Sequence, residues 1–321
     1  MTQLLDTAAA KAVRPELLGW DHVEWWVGNA RAMAAFLANG FGFTCVAYAG
    51  PETGVADRAS YVLEQGDVRF VVTAGLGPDS PVARHVLAHG DGVRHLAWRV
   101  ADAELAFESA LRRGAVPAAD AVTLEDDGGR LTTAAVHTYG ETRHLFVDRS
   151  GYRGLFAPGY SAEGVPRTTV GPPVGLSHVD HIVGNVEEGR LDQWVRFYET
   201  VFGFDEMRHF DAEQISTEYS ALRSTVVWNA DRIVMPLNEP AAGKRTSQIQ
   251  EYLDSYRGPG VQHLALATPD IAASVAALQA RGVRFLVPPT TYYEDARRRC
   301  SHLDLPWEHL ASLGILVDVE A

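Results

Sequence analysis

The chain repeats itself, and the repeat leaves few folds open. Asp21-His22-Val23 followed by Phe41-Gly42-Phe43 returns as Asp180-His181-Ile182 followed by Phe202-Gly203-Phe204. Asp91-Gly92-Val93-Arg94-His95-Leu96-Ala97 returns as Pro259-Gly260-Val261-Gln262-His263-Leu264-Ala265, and Arg113-Gly114-Ala115 as Arg281-Gly282-Val283. His22 and His181 lie 159 positions apart and His95 and His263 lie 168 apart, so the halves differ by a short insertion. Repetition on this scale describes duplicated domains rather than a solenoid, whose period is a few tens of residues.

Each half itself reads as strand, helix, strands, and then the same again. Val179, His181 and Val183 share one face of a strand by the period of two, after which Leu191, Trp194, Val195, Tyr198, Val201 and Phe202 follow helical spacing. A second helix is expected with Thr268 as N-cap, Pro269 in the first position, Ile271, Val275 and Leu278 as its apolar stripe and Gly282 closing it. Residues 218–227 and 232–236 read as strands joined by Asn229-Ala230-Asp231. The unit is βαβββ, and the predicted class is α+β. The Pro- and Gly-rich stretch around residues 159–175 reads as a linker between domains at 1–158 and 176–321.

With 321 residues and 46% hydrophobic content, two packed cores are within reach. No apolar run approaches the ~20 residues that cross a bilayer, and residues 1–14 lack the layout of a signal peptide. Cys45 and Cys300 are too few for a disulfide framework or a cysteine zinc site, which points to a reducing, cytoplasmic setting. A net charge of −13 disfavours nucleic acid as a partner. The one basic cluster, Lys244-Arg245, lacks both the glycine and the hydroxyl position of a phosphate-binding loop.

Two histidines in apolar strands then demand an explanation, because an imidazole buried among aliphatic side chains is costly unless something binds it. A metal ion does so. Two histidines and one carboxylate hold iron(II) on one face and leave neighbouring positions open for substrate and oxygen. The alternative is a pair of core histidines satisfied by backbone carbonyls. Trp25, Trp26, Trp194 and Trp228 are expected in the core or an interface.

The ordered series Val179-Asp180-His181-Ile182-Val183-Gly184-Asn185-Val186, Thr217-Glu218-Tyr219-Ser220-Ala221-Leu222, Pro236-Leu237-Asn238-Glu239-Pro240, Ser247-Gln248-Ile249, Gly260-Val261-Gln262-His263 and Tyr292-Tyr293 resembles the 4-hydroxyphenylpyruvate dioxygenase family. In the first half, Tyr139-Gly140-Glu141-Thr142-Arg143-His144 is similar too. The resemblance implies paired βαβββ modules of the vicinal-oxygen-chelate type forming two open-barrel domains, the last module incomplete. It implies His181 and His263 as ligands of an Fe(2+) cofactor, and Ser224, Asn238, Gln248 and Gln262 as residues that line or support the substrate pocket. Gln262 in a regular strand would point away from the face of His263, so its role requires a bulge or an indirect contact.

The implied reaction turns 4-hydroxyphenylpyruvate and molecular oxygen into homogentisate, a step of tyrosine catabolism, in a homo-oligomeric enzyme. The substrate's own 2-oxo acid chelates the iron, so no separate 2-oxoglutarate is required. The family's third ligand is a glutamate on a later strand. The sequence ends at Val319-Glu320-Ala321 ahead of it, which leaves Glu320 as a terminal substitute, residues 315–317 beside an unpaired sheet edge, and a chain expected to hold iron weakly. Two rival readings are a 4-hydroxymandelate synthase, against which Asn238 argues because such relatives tend to be aliphatic there, and a non-catalytic binding protein on the same fold. His22 and His95 are expected to be core or pocket histidines, a second metal site being the alternative. Setting residues 143–149 against the family's later strand, the resemblance implies Leu145 in the carboxylate's place and His144 facing the other side.

Overall fold

The structure is a computed structural model and describes residues 14–165, 171–207, 222–230, 232–241, 243 and 246–318. Lys244-Arg245, the 217–221 segment and Glu320 lie outside the described residues. The first half runs β1 (Leu17–Trp26), α1 (Ala30–Phe41), β2 (Thr44–Ala49), β3 (Arg58–Gln65), β4 (Val68–Gly75), α2 (Pro81–His89), β5 (Gly92–Val100), α3 (Ala103–Arg112), β6 (Pro117–Asp126), β7 (Gly129–His137) and β8 (Arg143–Asp148). The second runs β9 (Val179–Asn185), α4 (Leu191–Phe197), β10 (Asp205–Met207), β11 (Leu222–Asn229), β12 (Ile233–Pro240), α5 (Gln248–Tyr256), β13 (Gly260–Leu266), α6 (Ile271–Ala280), α7 (Thr290–Arg299) and α8 (Trp307–Leu313).

Sheet order exposes the duplication. The first sheet is β2-β3-β4-β1-β5-β8-β7-β6, two βαβββ modules of identical internal order joined where β1 meets β5 antiparallel. The second is β10-β11-β12-β9-β13, one such module plus the first strand of another, and β13 meets β9 as β5 meets β1. The class is α+β with the vicinal-oxygen-chelate arrangement of modules. No described helix is long and apolar enough to cross a membrane.

The repeated Phe-Gly-Phe motif now has a physical reason. Gly42 (φ 74°) and Gly203 (φ 73°) take the left-handed conformation that ends α1 and the π-helical turn Tyr198–Phe202 after α4, a conformation that suits glycine. Phe43 and Phe204, one residue on, enter the core. The expected cap of α6 is shifted: Asp270, not Thr268, accepts from the Ala273 amide at 2.9 Å, while Thr268 pairs with Ser274. Residues 315–317 join no sheet. Ile315 packs with Val275, Leu310 and Leu313, and the Tyr292 hydroxyl bonds both the amide and the carbonyl of Val317, so the edge of the second sheet is β13 itself. Around the expected linker, Gln65 Oε1 accepts from the amides of Val174 and Leu176, and Ser161 pairs with Tyr48.

One continuous core joins the two halves. The Trp98 indole packs against Phe202 at 4.9 Å, and the buried His144 shares a hydrogen bond with the Tyr198 hydroxyl at 2.7 Å. His144 thus faces the core, and burial holds its imidazole down to about 3. Tyr139 lies against β9, where a Cβ on Gly184 would come within 2.6 Å of its ring. Gly184→Ala is expected to destabilise the fold by about 1–3 kcal/mol through overpacking, read as a lower urea midpoint.

The first half also contains a buried ion pair. Asp21, 2% exposed, accepts from Arg149 Nε at 2.6 Å, Arg149 Nη2 at 2.9 Å and His22 Nδ1 at 2.7 Å. Burial alone would raise its carboxyl, yet the hydrogen bonds and charges of His22 and Arg149 hold it well below the usual carboxylate range. Arg149→Leu removes two charge-assisted hydrogen bonds and leaves His22 as the close partner of that charge, and should cost about 2–3 kcal/mol at pH 7. A depressed carboxylate stabilises above its unfolded value of 3.8 and loses the contribution as pH falls below it, so the deficit of Arg149→Leu in urea unfolding should shrink toward pH 3.

Candidate metal centre and substrate site

The second sheet presents two faces of opposite character. Ile182 of β9, Val227 of β11 and Ile233, Met235 and Leu237 of β12 are buried in the core under the helices. The alternate residues of the same strands, among them His181, Val183 and Asn185 on β9, Asn238 on β12 and Ser224 on β11, turn the other way by the period of two. Ser224 lies directly across from Asn238, and Asn238 from Asn185, so three polar side chains cross the sheet in one row. His263 pairs with Val183 and Ala265 with His181, which sets the histidines on adjoining strands beside that row.

The two imidazoles are neighbours, with ring centroids 5.8 Å apart and planes at 73°. A divalent ion sits about 2.1 Å from an imidazole nitrogen, so two rings sharing one ion have centres at most about 6.6 Å apart, and the observed pair falls inside that span. Each ring is oriented through Nδ1. The Asp180 carboxylate accepts from His181 Nδ1 at 2.7 Å, and Gln262 Oε1 from His263 Nδ1 at 3.1 Å. A hydrogen on Nδ1 leaves Nε2 with its lone pair available to a metal, the usual tautomer of a ligating histidine. Burial and the neighbouring His181 hold the His263 imidazole below its ordinary value, which favours the neutral, ligating form. The pair fits two positions of a metal site. Among the described residues no carboxylate completes a three-donor group with it.

Gln262 owes its position to a bulge. The β9–β13 register slips between Val261 and His263, so Gln262 is the extra residue. A β-bulge re-aims a side chain that strict alternation would send to the other face. Gln248 stands exposed in the first turn of α5, next to the capping residue Ser247.

Two features escaped the sequence reading. Asn185 is fully buried, and both polar atoms of its side chain lack a partner in the structure. Its signal was the period of two, since a buried amide two and four residues from Val183 and His181 shares their face. The second feature is a group of His85, His89 and Glu141, whose donor atoms lie within 4.8 Å of one another. The i, i+4 spacing of the histidines on α2 was visible in the sequence. Its members are already engaged: Glu141 binds His85 Nδ1 at 2.7 Å and Arg94 at 2.8 Å, and His89 Nδ1 donates to the Tyr256 carbonyl at 2.6 Å.

His22 and His95 occupy the corresponding places of the first half. His22 donates to Asp21, and His95 Nδ1 to Glu24 Oε2 at 2.6 Å, on the strand position that Val183 fills in the second half. Among the described residues they belong to no three-donor group.

Paired βαβββ modules built on one another in this order define the vicinal-oxygen-chelate class of fold, and the two oriented histidines on one open sheet are its candidate metal site. Residues 176–301 match the Glyoxalase/Bleomycin resistance protein/Dioxygenase superfamily, and residues 15–157 the N-terminal domain of hydroxyphenylpyruvate dioxygenase. The 4-hydroxyphenylpyruvate dioxygenase of Aspergillus fumigatus is 41% identical over 94% of this chain and 80% of its own length. That of Xenopus tropicalis is 41% identical over 97% of this chain and 81% of its own. Among solved structures, a triple mutant of 4-hydroxymandelate synthase from Streptomyces coelicolor matches with a TM-score of 0.78 at 33% identity, covering 95% of this chain and 85% of that one. The chain belongs to the 4-hydroxyphenylpyruvate dioxygenase family. It is therefore an enzyme, and the family and fold imply a metal cofactor.

Proposed function

We propose that this enzyme converts 4-hydroxyphenylpyruvate and molecular oxygen to homogentisate, in tyrosine catabolism, with iron(II) held by His181 and His263. The observation that carries the reading is the placement of both histidines, with Nε2 available on each, on the sheet face that also bears Ser224 and Asn238. Iron(II), held by these two histidines, would supply Lewis acidity toward the substrate's 2-oxo acid and the capacity to activate oxygen. The chain's own residues do the rest. Asp180 and Gln262 fix the imidazole rings, Asn238 and Ser224 offer hydrogen bonds to the substrate, and the resemblance assigns Gln248 of α5 to the same pocket. The protein supplies geometry and exclusion of water around a reaction whose oxidising power belongs to the cofactor.

In this reading residues 1–158 form an N-terminal domain, 159–175 a linker and 176–321 the iron-binding domain, with the pair completed by a third ligand. The protein works in the cytoplasm as a homo-oligomer, and the exposed Leu286 and Val287 next to α6 suit a covered surface. The rival product is 4-hydroxymandelate, favoured by the structural similarity to a synthase of that compound. Incubating the iron-loaded protein with 4-hydroxyphenylpyruvate in air and separating the products by chromatography tests the reading. Homogentisate is the expected product, and hydroxymandelate as the main product would replace it.

A further inference from the structure

The first half has an open cavity of about 590 Å³ lined by His95, the counterpart of His263. Its wall includes Glu24 and Trp26 of β1, Arg94 and His95 of β5, Glu141 in the turn before β8 and Arg143 at the start of β8. The same bulge serves both halves: the β1–β5 register slips between Glu24 and Trp25, so Arg94 is the extra residue beside His95, as Gln262 is beside His263. The chemistry of the wall differs. Where the second half has Val183 and Gln262, the first has Glu24 and Arg94.

Counting the partners of each charge leaves one unmatched. Glu24 accepts from His95 Nδ1 at 2.6 Å and from the Thr73 hydroxyl at 2.7 Å, and Glu141 from His85 and Arg94. Arg58 pairs with Asp57, and Arg84 donates to the Asp79 carbonyl. Arg143, across the ladder from His95, has neither a carboxylate nor a carbonyl partner among the described residues, and its Nε is shut away from solvent without an acceptor. Arg94 Nε is in the same state. A guanidinium never loses its charge at accessible pH, and a partly buried one without a counterion beside a second guanidinium is unfavourable.

We propose that this cavity binds a small organic carboxylate, its two oxygens accepted into the fork of Arg143 with Arg94 alongside. The planar fork matches a carboxylate bidentately. Trp26, over whose ring Arg94 already lies at 4.7 Å, gives the organic part an aromatic wall. The nearby carboxylates of Glu24 and Glu141 work against a multiply charged anion such as phosphate. The site goes beyond the oxygenase reading and needs no metal.

The test uses the full chain without added metal. Phenylacetate is titrated calorimetrically, with inorganic phosphate as the second anion, and phenylglyoxal labelling of Arg143 is followed by peptide mass spectrometry with and without phenylacetate. Expected are saturable phenylacetate binding, protection of Arg143 from phenylglyoxal in the unmodified protein, and a roughly tenfold to hundredfold loss of affinity in Arg143→Gln, the worth of a charge-assisted pair. His263→Ala should leave phenylacetate binding unchanged, which separates this site from the metal centre. Absence of protection, undiminished binding in Arg143→Gln, loss of binding in His263→Ala, or phosphate binding as tightly as phenylacetate would each overturn the proposal. Labelling of the unmodified protein decides the question even if Arg143→Gln fails to fold.

Discussion

His181→Ala and His263→Ala are each expected to lower iron(II) affinity by at least about a hundredfold and to bring homogentisate formation down to background. Groups that merely orient a ligating histidine are worth about 10–100-fold in metal affinity, and deleting the ligand itself should cost no less than the upper end of that range. Among the described residues no other His, Cys, Asp or Glu forms a three-donor group with this pair, so each histidine is a large share of the donors present. Asp180→Asn and Gln262→Leu, which disturb only the Nδ1 contacts at 2.7 and 3.1 Å, should fall between these variants and the unmodified protein. Equilibrium dialysis against iron(II) under anaerobic conditions gives the affinities. Alanine variants that retain iron as tightly as the parent would remove the histidine pair from the account.

Asn238→Ile should change what is made. Asn238 is buried and lies between Ser224 and Asn185 in the polar row, and the proposed function assigns it a hydrogen bond to the substrate. Losing one buried hydrogen bond to substrate costs about 1–3 kcal/mol, roughly a tenfold to hundredfold effect, which is of the size that separates two product-forming geometries. The expected result is a rise in hydroxymandelate relative to homogentisate, a weaker hold on the substrate, or both. An unchanged product ratio together with unchanged affinity in Asn238→Ile would assign the residue to the sheet alone.

The parts of this arrangement that were legible in the sequence share a property: they rest on local periodicity or on the repeat. His181 and His263 stand out as polar residues in apolar strands, and Gly42 and Gly203 mark equivalent helix ends because the left-handed turn selects glycine wherever it occurs. What was hidden depends on pairing between distant segments. The need for a bulge at Gln262 was legible, because strict alternation would turn that residue away from His263, but where the slip falls is set by how β13 meets β9. Residues 315–317 are expected from the sequence beside an unpaired sheet edge, but Ile315 packs against Val275 of α6 and Leu310 and Leu313 of α8 instead. Thr268 and Asp270 are both competent caps, and Asp270 takes the role while the Thr268 hydroxyl is engaged by Ser274. Asn185 was in plain view within the histidine strand, yet its burial shows only once the sheet's two faces are told apart. The group of His85, His89 and Glu141 joins a helix to a turn more than fifty residues on, a proximity that no local pattern encodes.

That group also provides the sharpest contrast for the central claim, because the structure offers a metal two places to go. X-ray absorption at the iron edge of the iron(II)-loaded protein, compared with His263→Ala and His85→Ala, counts the imidazoles around the ion and shows which substitution removes one. The account predicts two imidazoles per iron in the parent, loss of one or of the iron itself in His263→Ala, and a spectrum unchanged by His85→Ala. An iron environment that survives His263→Ala and collapses in His85→Ala would place the metal in the first half and contradict the account.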